Sequence, residues 1–505
     1  MNTTYPLDPI LDEISSKKNI SRNDVTCDDV KTFLLSSTRE DGNRMYNINF
    51  KEDEVNDLIL FYYNEQHEML SNNSCATAVT TNDVENACKS CVYERSSLKY
   101  LCSQFNRIIY NEEAFKLLLP NDLSNTIVQK CYEGTTLLVF NHKNKWFIST
   151  RKCIDAGESV WVKNQSFKDL FEETMNNNNT SDNNSTENLF APSIYNLLNP
   201  DYVYVFILVH YKNKNIVNYN QPFKFNNRHY KQLYLSNVSL KGTYVEICRD
   251  AYNLTNVPWT EEYKLESVDE LRTFLEQYNE YDTAIKSIST EGFVLKIYKD
   301  SNKTGKFTIA KLQTNIYRYI MSNKPNVQNV YQIYLEFYKR DVLTDLLPYF
   351  YKGKNNIIIK IHNSMKILTK EMLELYHKTR NKRNETLYGL MPKIYRKVLY
   401  DLHGIYIKNK KDLIDSGSIG TEIETKIETN IDQELNTDNA DDNMSMLKSN
   451  KSINIHDVYN FLKELPLKQL IKIFQEREQL IEGGKVECLN SRDMDIAIYT
   501  KYLLD

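Results

Sequence analysis

The clearest pattern in the chain is a pair of apolar runs separated by a short polar segment. Residues 130–140 end in Leu-Leu-Val-Phe, residues 145–153 begin with Lys-Trp-Phe-Ile, and Asn-His-Lys-Asn lies between them. Runs of β-branched, aromatic and aliphatic residues on both sides of a short polar segment predict a β-hairpin. We place His142 in the turn of this hairpin, as a surface residue.

Further apolar runs predict strands. Residues 202–210 form the most apolar run of the chain, which is typical of a central strand buried on both faces. Residues 288–297 and 306–313 are apolar segments separated by a polar turn, and they predict a second strand pair. The centre of the chain is therefore expected to be strand-rich.

Helical spacing of apolar residues dominates elsewhere. Residues 1–95, which include an apolar segment at 54–63, are predicted to be mostly helical, as are residues 166–174, 264–278 and the chain beyond Tyr317. Asn, Ser and Thr dominate residues 176–188, which indicates a surface loop or insertion.

These patterns divide the chain into five parts. They are a helical N-terminal region (1–95), a strand-rich domain (96–320), a helical domain (321–412), an acidic flexible linker (413–452) and a C-terminal helical unit (453–505).

Composition and charge narrow the class of protein. The chain of 505 residues has 63 Lys and Arg against 67 Asp and Glu, so its net charge of -4 gives no overall attraction to nucleic acid. The amino terminus lacks the pattern of a secretory signal, and no apolar run reaches the ~20 residues of a membrane span. We expect an intracellular, cytoplasmic protein that does not enter a membrane.

Nine dispersed cysteines indicate reduced thiols rather than a disulfide framework. The cluster of Cys75, Cys88, Cys91 and Cys102 is a weak form of a zinc-binding pattern, because only Cys88 and Cys91 have the C-x-x-C spacing. Cysteines of a buried core are the alternative, and we predict no metal site.

Two Glu-Gly pairs, Glu133-Gly134 and Glu291-Gly292, each stand at the start of a predicted strand, with the strand at 202–210 between them. This order resembles that of the covalent nucleotidyltransferases, the superfamily of RNA ligases, DNA ligases and capping enzymes, and within it the phage-type RNA ligases. Residues 133–156 also resemble a hairpin of ligase-like proteins of large DNA viruses. The resemblance implies an α+β fold, with an antiparallel-sheet nucleotidyltransferase (RNA ligase-like) domain and helical N-terminal and C-terminal regions.

The family's chemistry suggests roles for the matched positions. A lysine of low pKa attacks the α-phosphate of a nucleotide, while carboxylates, Mg²⁺ and further lysines bind the ribose and the phosphates. The resemblance implies catalytic roles for Lys130 and Glu291, and ATP with Mg²⁺ as cofactors if the protein is active. The residues expected to contact the cofactor are Glu133, Gly134, Arg151, Lys306 and Lys311.

Three positions depart from the family's pattern. Cys131 stands where the nucleophilic lysine is expected, and Lys130 comes one residue too early, so its side chain would point to the other face of a strand unless a bulge intervenes. Ile207 stands where a ribose-binding Glu is expected, and Gln313 replaces the second lysine of the last motif.

These departures favour a degenerate active site that binds a nucleotide or RNA with lost or weak adenylyl transfer. Two alternatives stay open: an active ATP-dependent RNA ligase that uses Lys130, and a structural viral protein without a nucleotide site. The basic segment at 366–411 is either a solvated helical face or an RNA contact; its Tyr395 and Tyr406 fall on the predicted core face.

Overall fold

The structure is a computed structural model. It describes residues 5–38, 42, 44–63, 83–162, 165–177, 194–213, 216–219, 230–254, 257–299, 301–303, 305–327, 329–350, 356–381, 384–415, 453–483 and 493–504. The chain divides into two compact units, Met1–Tyr319 and Ile320–Asp505. Most of the predicted low-complexity segment at 176–188, and the predicted linker from residue 416 onward, lie outside the described residues.

The N-terminal part of the first unit combines helices with a sheet. Helices α1 (Asp8–Lys18) and α2 (Cys27–Ser36) agree with the predicted helical region. A four-stranded antiparallel sheet of order β1-β2-β3-β4 then follows, and its strands are β1 (Ile48–Asp53), β2 (Leu58–Tyr63), β3 (Cys91–Glu94) and β4 (Tyr100–Ser103). The prediction of helix at residues 54–63 was wrong. Strand β2 is apolar and buried at nearly every position, so its pattern does not distinguish a strand from a buried helix.

Two larger sheets form the rest of the first unit. One has the order β12-β11-β7-β8 and the other β13-β6-β14-β15-β5, and in these two sheets all neighbours are antiparallel except β15 and β5. Their strands, with the small pair β9 and β10, are β5 (Ile109–Tyr110), β6 (Thr126–Cys131), β7 (Thr135–His142), β8 (Lys145–Ser149), β9 (Val160–Val162), β10 (Gln165–Ser166), β11 (Tyr202–His210), β12 (Lys231–Leu240), β13 (Glu262–Tyr263), β14 (Gly292–Tyr298) and β15 (Phe307–Gln313). The helices of this part are α3 (Asp83–Ala87), α4 (Asn111–Phe115), α5 (Phe167–Asn177), α6 (Val268–Ile285) and α7 (Asn315–Asn323).

The predicted hairpin is confirmed as β7 and β8, but its first strand begins at Thr135, because Lys130 and Cys131 belong to β6 of the other large sheet. Lys143 and Asn144 form its turn with φ angles of 48° and 62°, the left-handed geometry of a two-residue hairpin turn. His142 is a correction: it is the last residue of β7 rather than part of the turn, and it is only 7% exposed. The apolar run at 202–210 is confirmed as β11, which lies inside its sheet between β12 and β7.

The second unit is helical throughout the part that the structure describes. Its helices, after the end of α7, are α8 (Val330–Lys339), α9 (Leu343–Phe350), α10 (Ile357–Tyr376), α11 (Glu385–Leu390), α12 (Lys393–Asp415), α13 (Ile455–Glu464), α14 (Leu467–Glu482) and α15 (Met494–Leu504), with a π-helical turn at His377–Asn381. In the basic segment, Tyr395 is buried in the core, as expected, and Lys378 pairs with Glu374 at 2.8 Å.

The expected fold class, α+β with antiparallel sheets and helical terminal regions, is confirmed. None of the helices in the described ranges is both long enough and apolar enough to cross a membrane.

Of the cysteines of the suggested zinc pattern that the structure describes, two lie together and the third lies apart from them. Cys88 and Cys91 pack in the core against α1 and α2, whereas Cys102 packs in the core on the opposite face of the N-terminal sheet. Cys75 lies outside the described residues. The three placed cysteines are therefore core residues.

Candidate functional site

Three adjacent strands bring polar residues to one face of the five-stranded sheet. In the register of β6, β14 and β15, Gly292 pairs with Cys131 on one side and with Gln313 on the other, and Val294 pairs with Lys311. Paired residues point to the same face of a sheet, and every second residue along a strand shares that face. Cys131, Lys311 and Gln313 therefore lie on one face.

Glu291, just before β14, completes a group that we call the polar cluster: Cys131, Glu291, Lys311 and Gln313. The ammonium of Lys311 donates to Oε1 and Oε2 of Glu291 at 3.2 Å and 3.4 Å, and Nε2 of Gln313 donates to Oε1 at 3.0 Å. Glu291 is 6% exposed, and the side chain of Lys311 is 20% exposed. Because so little water surrounds this ion pair, it is screened less than a surface pair.

The electrostatics of the polar cluster set the protonation of its members. Burial by itself lowers the pKa of Lys311, but the neighbouring Cys131 and the carboxylate of Glu291 outweigh burial and raise the pKa well above its usual value. Burial, with Glu291 nearby, raises the pKa of the Cys131 thiol well above its usual value. At neutral pH the cluster thus holds a charged ammonium and a protonated thiol, which is a poor nucleophile.

Glu133 holds the segment at 216–219. Its Oε2 accepts hydrogen bonds from the backbone N–H groups of Ile216 at 2.6 Å and Val217 at 2.8 Å, and its own N–H donates to the hydroxyl of Tyr219 at 2.6 Å. Burial raises the pKa of Tyr317, and the charges of Glu291 and Glu133 raise it further. The charges of both carboxylates therefore reach Tyr317.

Each glycine of the Glu-Gly pairs is required by a close backbone approach. A Cβ at Gly292, where φ is 139°, would lie 1.9 Å from the carbonyl oxygen of Leu312. A Cβ at Gly134 would lie 2.7 Å from the carbonyl oxygen of Leu208 and from Cγ2 of Ile207. Gly134 therefore has a packing role, and the apolar Ile207 lies against it.

Lys130 is not part of the polar cluster. It pairs with Phe293, whose side chain belongs to the core packed against α6, so Lys130 is on the opposite face of the sheet. The register of β6 with β14 runs without a bulge from Thr126 to Cys131. The ammonium of Lys130 instead lies 3.8 Å from Glu261 and over the ring of Tyr132, 5.7 Å from its centre.

Two other expected cofactor contacts also lie apart from the cluster. Lys306 precedes β15, and its ammonium lies over the ring of Tyr244, 5.2 Å from the ring centre. Arg151 follows β8, which belongs to the other large sheet, and it is half-buried. Of the predicted site residues, the structure brings Glu291 and Lys311 into direct contact, and Glu133 and Gly134 lie in the segment that follows Cys131 of the cluster.

Comparisons with known proteins find structural likeness alone. No family model matches the chain, and no curated protein matches its sequence. Among solved structures, form 2 of an archaeal ATP-dependent RNA ligase is similar over 71% of this chain and 82% of its own, at 9% identity and a TM-score of 0.37. Form 1 of an archaeal ATP-dependent RNA ligase is similar over 70% and 82%, at 9% identity and a TM-score of 0.36. At these values, the function has to be inferred from the residues of the site.

The donors around Glu291 decide which ligand the cluster fits. Both carboxylate oxygens accept hydrogen bonds from Lys311, and Oε1 also accepts one from Gln313. Mg²⁺ takes oxygen ligands, and of the four side chains of the cluster only Glu291 and Gln313 carry oxygen, so the cluster is a poor site for this ion. The positive charge of Lys311 fits an anionic group instead, as lysines do where they bind phosphate.

The sequence did not single out two residues of this site, Tyr219 and Tyr317. Both hydroxyls lie near the carboxylates, yet the chain contains 36 tyrosines. No local pattern distinguishes these two from the others, because their role depends on the contact of segments distant in sequence.

Proposed function

We propose that the chain is an RNA ligase-like nucleotidyltransferase-fold protein that binds a nucleotide, free or as part of RNA, and has lost covalent nucleotidyl transfer. The observation that carries the proposal is the register of β6: it places Cys131, and not a lysine, beside Glu291 and Lys311. The two Glu-Gly pairs and the sheets that carry them support the ligase-like part of the proposal.

Covalent transfer in this superfamily needs a neutral amine next to the α-phosphate. Lys311 is the lysine of the polar cluster, but its raised pKa keeps it charged and removes the lone pair that attacks. Cys131 offers a protonated thiol. The cluster therefore supports binding of a phosphate by charge, with the carboxylate of Glu291 and the amide of Gln313 available to polar groups of the same ligand.

Binding is tested by thermal unfolding of the full chain with and without ATP, GTP or a short RNA. A ligand at 100 times its Kd stabilises the folded state by about 2.7 kcal/mol, so the unfolding temperature should rise with ligand concentration. Lys311→Met should abolish this rise, because it removes the counter-charge of the phosphate. Lys130→Met removes the same charge from the opposite face of the same sheet, and it should leave the rise intact.

Loss of covalent transfer is tested with radiolabelled ATP or GTP and Mg²⁺, followed by denaturing electrophoresis. We expect no labelled protein band. A band that is absent in Lys130→Met would overturn the proposal in favour of an active RNA ligase. If neither nucleotide nor RNA shifts the unfolding temperature of the wild-type chain, a structural protein without a nucleotide site is the correct description.

A further inference from the structure

A second group of ligand-type side chains lies outside the polar cluster. Asp57, Glu94 and His142 each offer one atom, and these three atoms lie within 4.8 Å of one another. Asp57 lies in the turn between β1 and β2, Glu94 ends β3, and His142 ends β7. The group therefore joins the N-terminal sheet to the sheet of the β7–β8 hairpin.

The two sheets also share an apolar core. Leu58 and Val92 from the N-terminal sheet pack in one cluster with Leu138 and Phe140 from β7. Leu58 follows Asp57 directly and pairs with Glu94, and Phe140 lies two residues before His142 on the same strand. The three ligand-type side chains thus lie at the edge of a packed contact, where the backbone positions are fixed.

His142 points to a ligand independently of the two acids. It is 7% exposed, and its Nε2 is buried without a hydrogen-bond partner among the residues that the structure describes. Buried polar atoms are normally paired, and an orphan one indicates a partner such as an ion or a water molecule.

We propose that Asp57, Glu94 and His142 bind a divalent transition-metal cation such as Zn²⁺. An imidazole nitrogen with two carboxylate oxygens suits Zn²⁺ and leaves a fourth position for water. Mg²⁺ and Ca²⁺ fit less well, because they prefer oxygen ligands alone. The side chains of Asp57 and Glu94 are 21% and 24% exposed, so an ion can reach the site from solvent.

Lys143 competes with the ion. Its ammonium lies 2.8 Å from Oδ2 of Asp57 and 3.9 Å from Oε1 of Glu94, on the carboxylates that the ion needs. The side chain of Lys143 is 57% exposed, so it can move into solvent when an ion binds. Metal affinity should therefore rise when this ammonium is removed.

The test is titration of the metal-free, full-length protein with Co²⁺ and with Zn²⁺. Co²⁺ should give the visible absorption of a nitrogen and oxygen site without a thiolate charge-transfer band, which separates this site from the nine cysteines. Zn²⁺ should raise the unfolding temperature. Both effects should be lost in His142→Asn and in Glu94→Gln; the second variant changes a partly exposed side chain and keeps the test valid if the first folds poorly.

Lys143→Gln provides the sharpest comparison. Removal of its ion pair with Asp57 should tighten Zn²⁺ binding roughly fivefold, the equivalent of one partly exposed ion pair. Lys145→Gln is the matched control, because Lys145 lies in the same hairpin and donates to Asn56 rather than to an acid. The proposal is overturned if the wild type and Lys143→Gln show no Zn²⁺-dependent shift, if Glu94→Gln keeps the wild-type shift, or if the Co²⁺ spectrum is that of thiolate ligands.

Discussion

Each of the two units contains an ion pair that is largely buried. The two pairs differ in the exposed fraction of their side chains and in the geometry of their hydrogen bonds. In residues 320–505, Arg477 donates two hydrogen bonds of 2.7 Å to the two oxygens of Glu371, and their side chains are 1% and 6% exposed. In residues 1–319, Lys311 shares Glu291 with Gln313 and keeps a fifth of its side chain exposed.

This difference indicates that the pair of Arg477 and Glu371 stabilises the fold, whereas Lys311 is able to contact a ligand. A bidentate pair between arginine and a carboxylate matches two planar groups edge to edge and fixes their geometry. A lysine ammonium is a point charge with three donors on a flexible stem, so it can turn from Glu291 toward an incoming phosphate. Sequence alone does not separate the two cases, because both are a cation and an acid distant along the chain.

The largest expected effect comes from removing the ion pair between Arg477 and Glu371. Arg477→Met removes the cation that contacts both oxygens of the buried Glu371 carboxylate, and it should lower the free energy of unfolding by about 3 to 5 kcal/mol. Urea denaturation followed by far-UV circular dichroism measures the change. The double variant Arg477→Met with Glu371→Leu should recover most of the loss, since no buried charge remains. If Arg477→Met is as stable as the wild type, the ion pair is not buried in the way that the structure shows.

A buried carboxylate with no cation beside it among the described residues extends the comparison. Asp282 of α6 is fully buried and accepts a hydrogen bond from the backbone N–H of Ser289 at 3.0 Å. Burial raises its pKa from 3.8 to about 6. The folded state therefore binds the proton more tightly than the unfolded state, and stability should fall as pH rises from about 4 to about 6.

Asp282→Asn should remove this pH dependence. The amide keeps an oxygen for Ser289 and carries no charge, so at pH 8 the variant should be more stable than the wild type by about 3 kcal/mol. At pH 4 the two proteins should be nearly equal. Denaturant unfolding at both pH values measures the difference; equal stability at pH 8 would mean that Asp282 ionises in the folded state without cost.

Local patterns predicted several strands of the two larger sheets. The β7–β8 hairpin, β11 and the pair β14 and β15 follow from short apolar runs with turn residues between them. The pairing of β14 with β15 brings Glu291 and Lys311 together, so this contact could be predicted from the sequence. Strand alternation also predicted the direction of Lys130 in the absence of a bulge, and β6 has none where it pairs with β14.

Contacts between segments that are distant along the chain could not be predicted from the sequence. The burial of His142 requires the N-terminal sheet to pack over the hairpin, and that sheet itself was predicted as helix. The approach of Tyr219 and Tyr317 to the carboxylates likewise depends on the packing of separate segments. Local periodicity reports which face of an element is buried, and it does not report what covers that face.

The smallest expected effect belongs to the ion pair of Lys130. Its ammonium is 3.8 Å from Glu261, and the two side chains are 25% and 53% exposed. Water screens such a pair, so Lys130→Met should change the free energy of unfolding by less than about 1 kcal/mol. The same urea denaturation measures this change, with Lys311→Met as the comparison. Lys311→Met should cost more, because it removes the cation from a carboxylate that is 6% exposed. If Lys130→Met is instead the more destabilising of the two, the pair of Lys130 with Glu261 is stronger than the buried pair of Lys311 with Glu291, which would contradict this comparison.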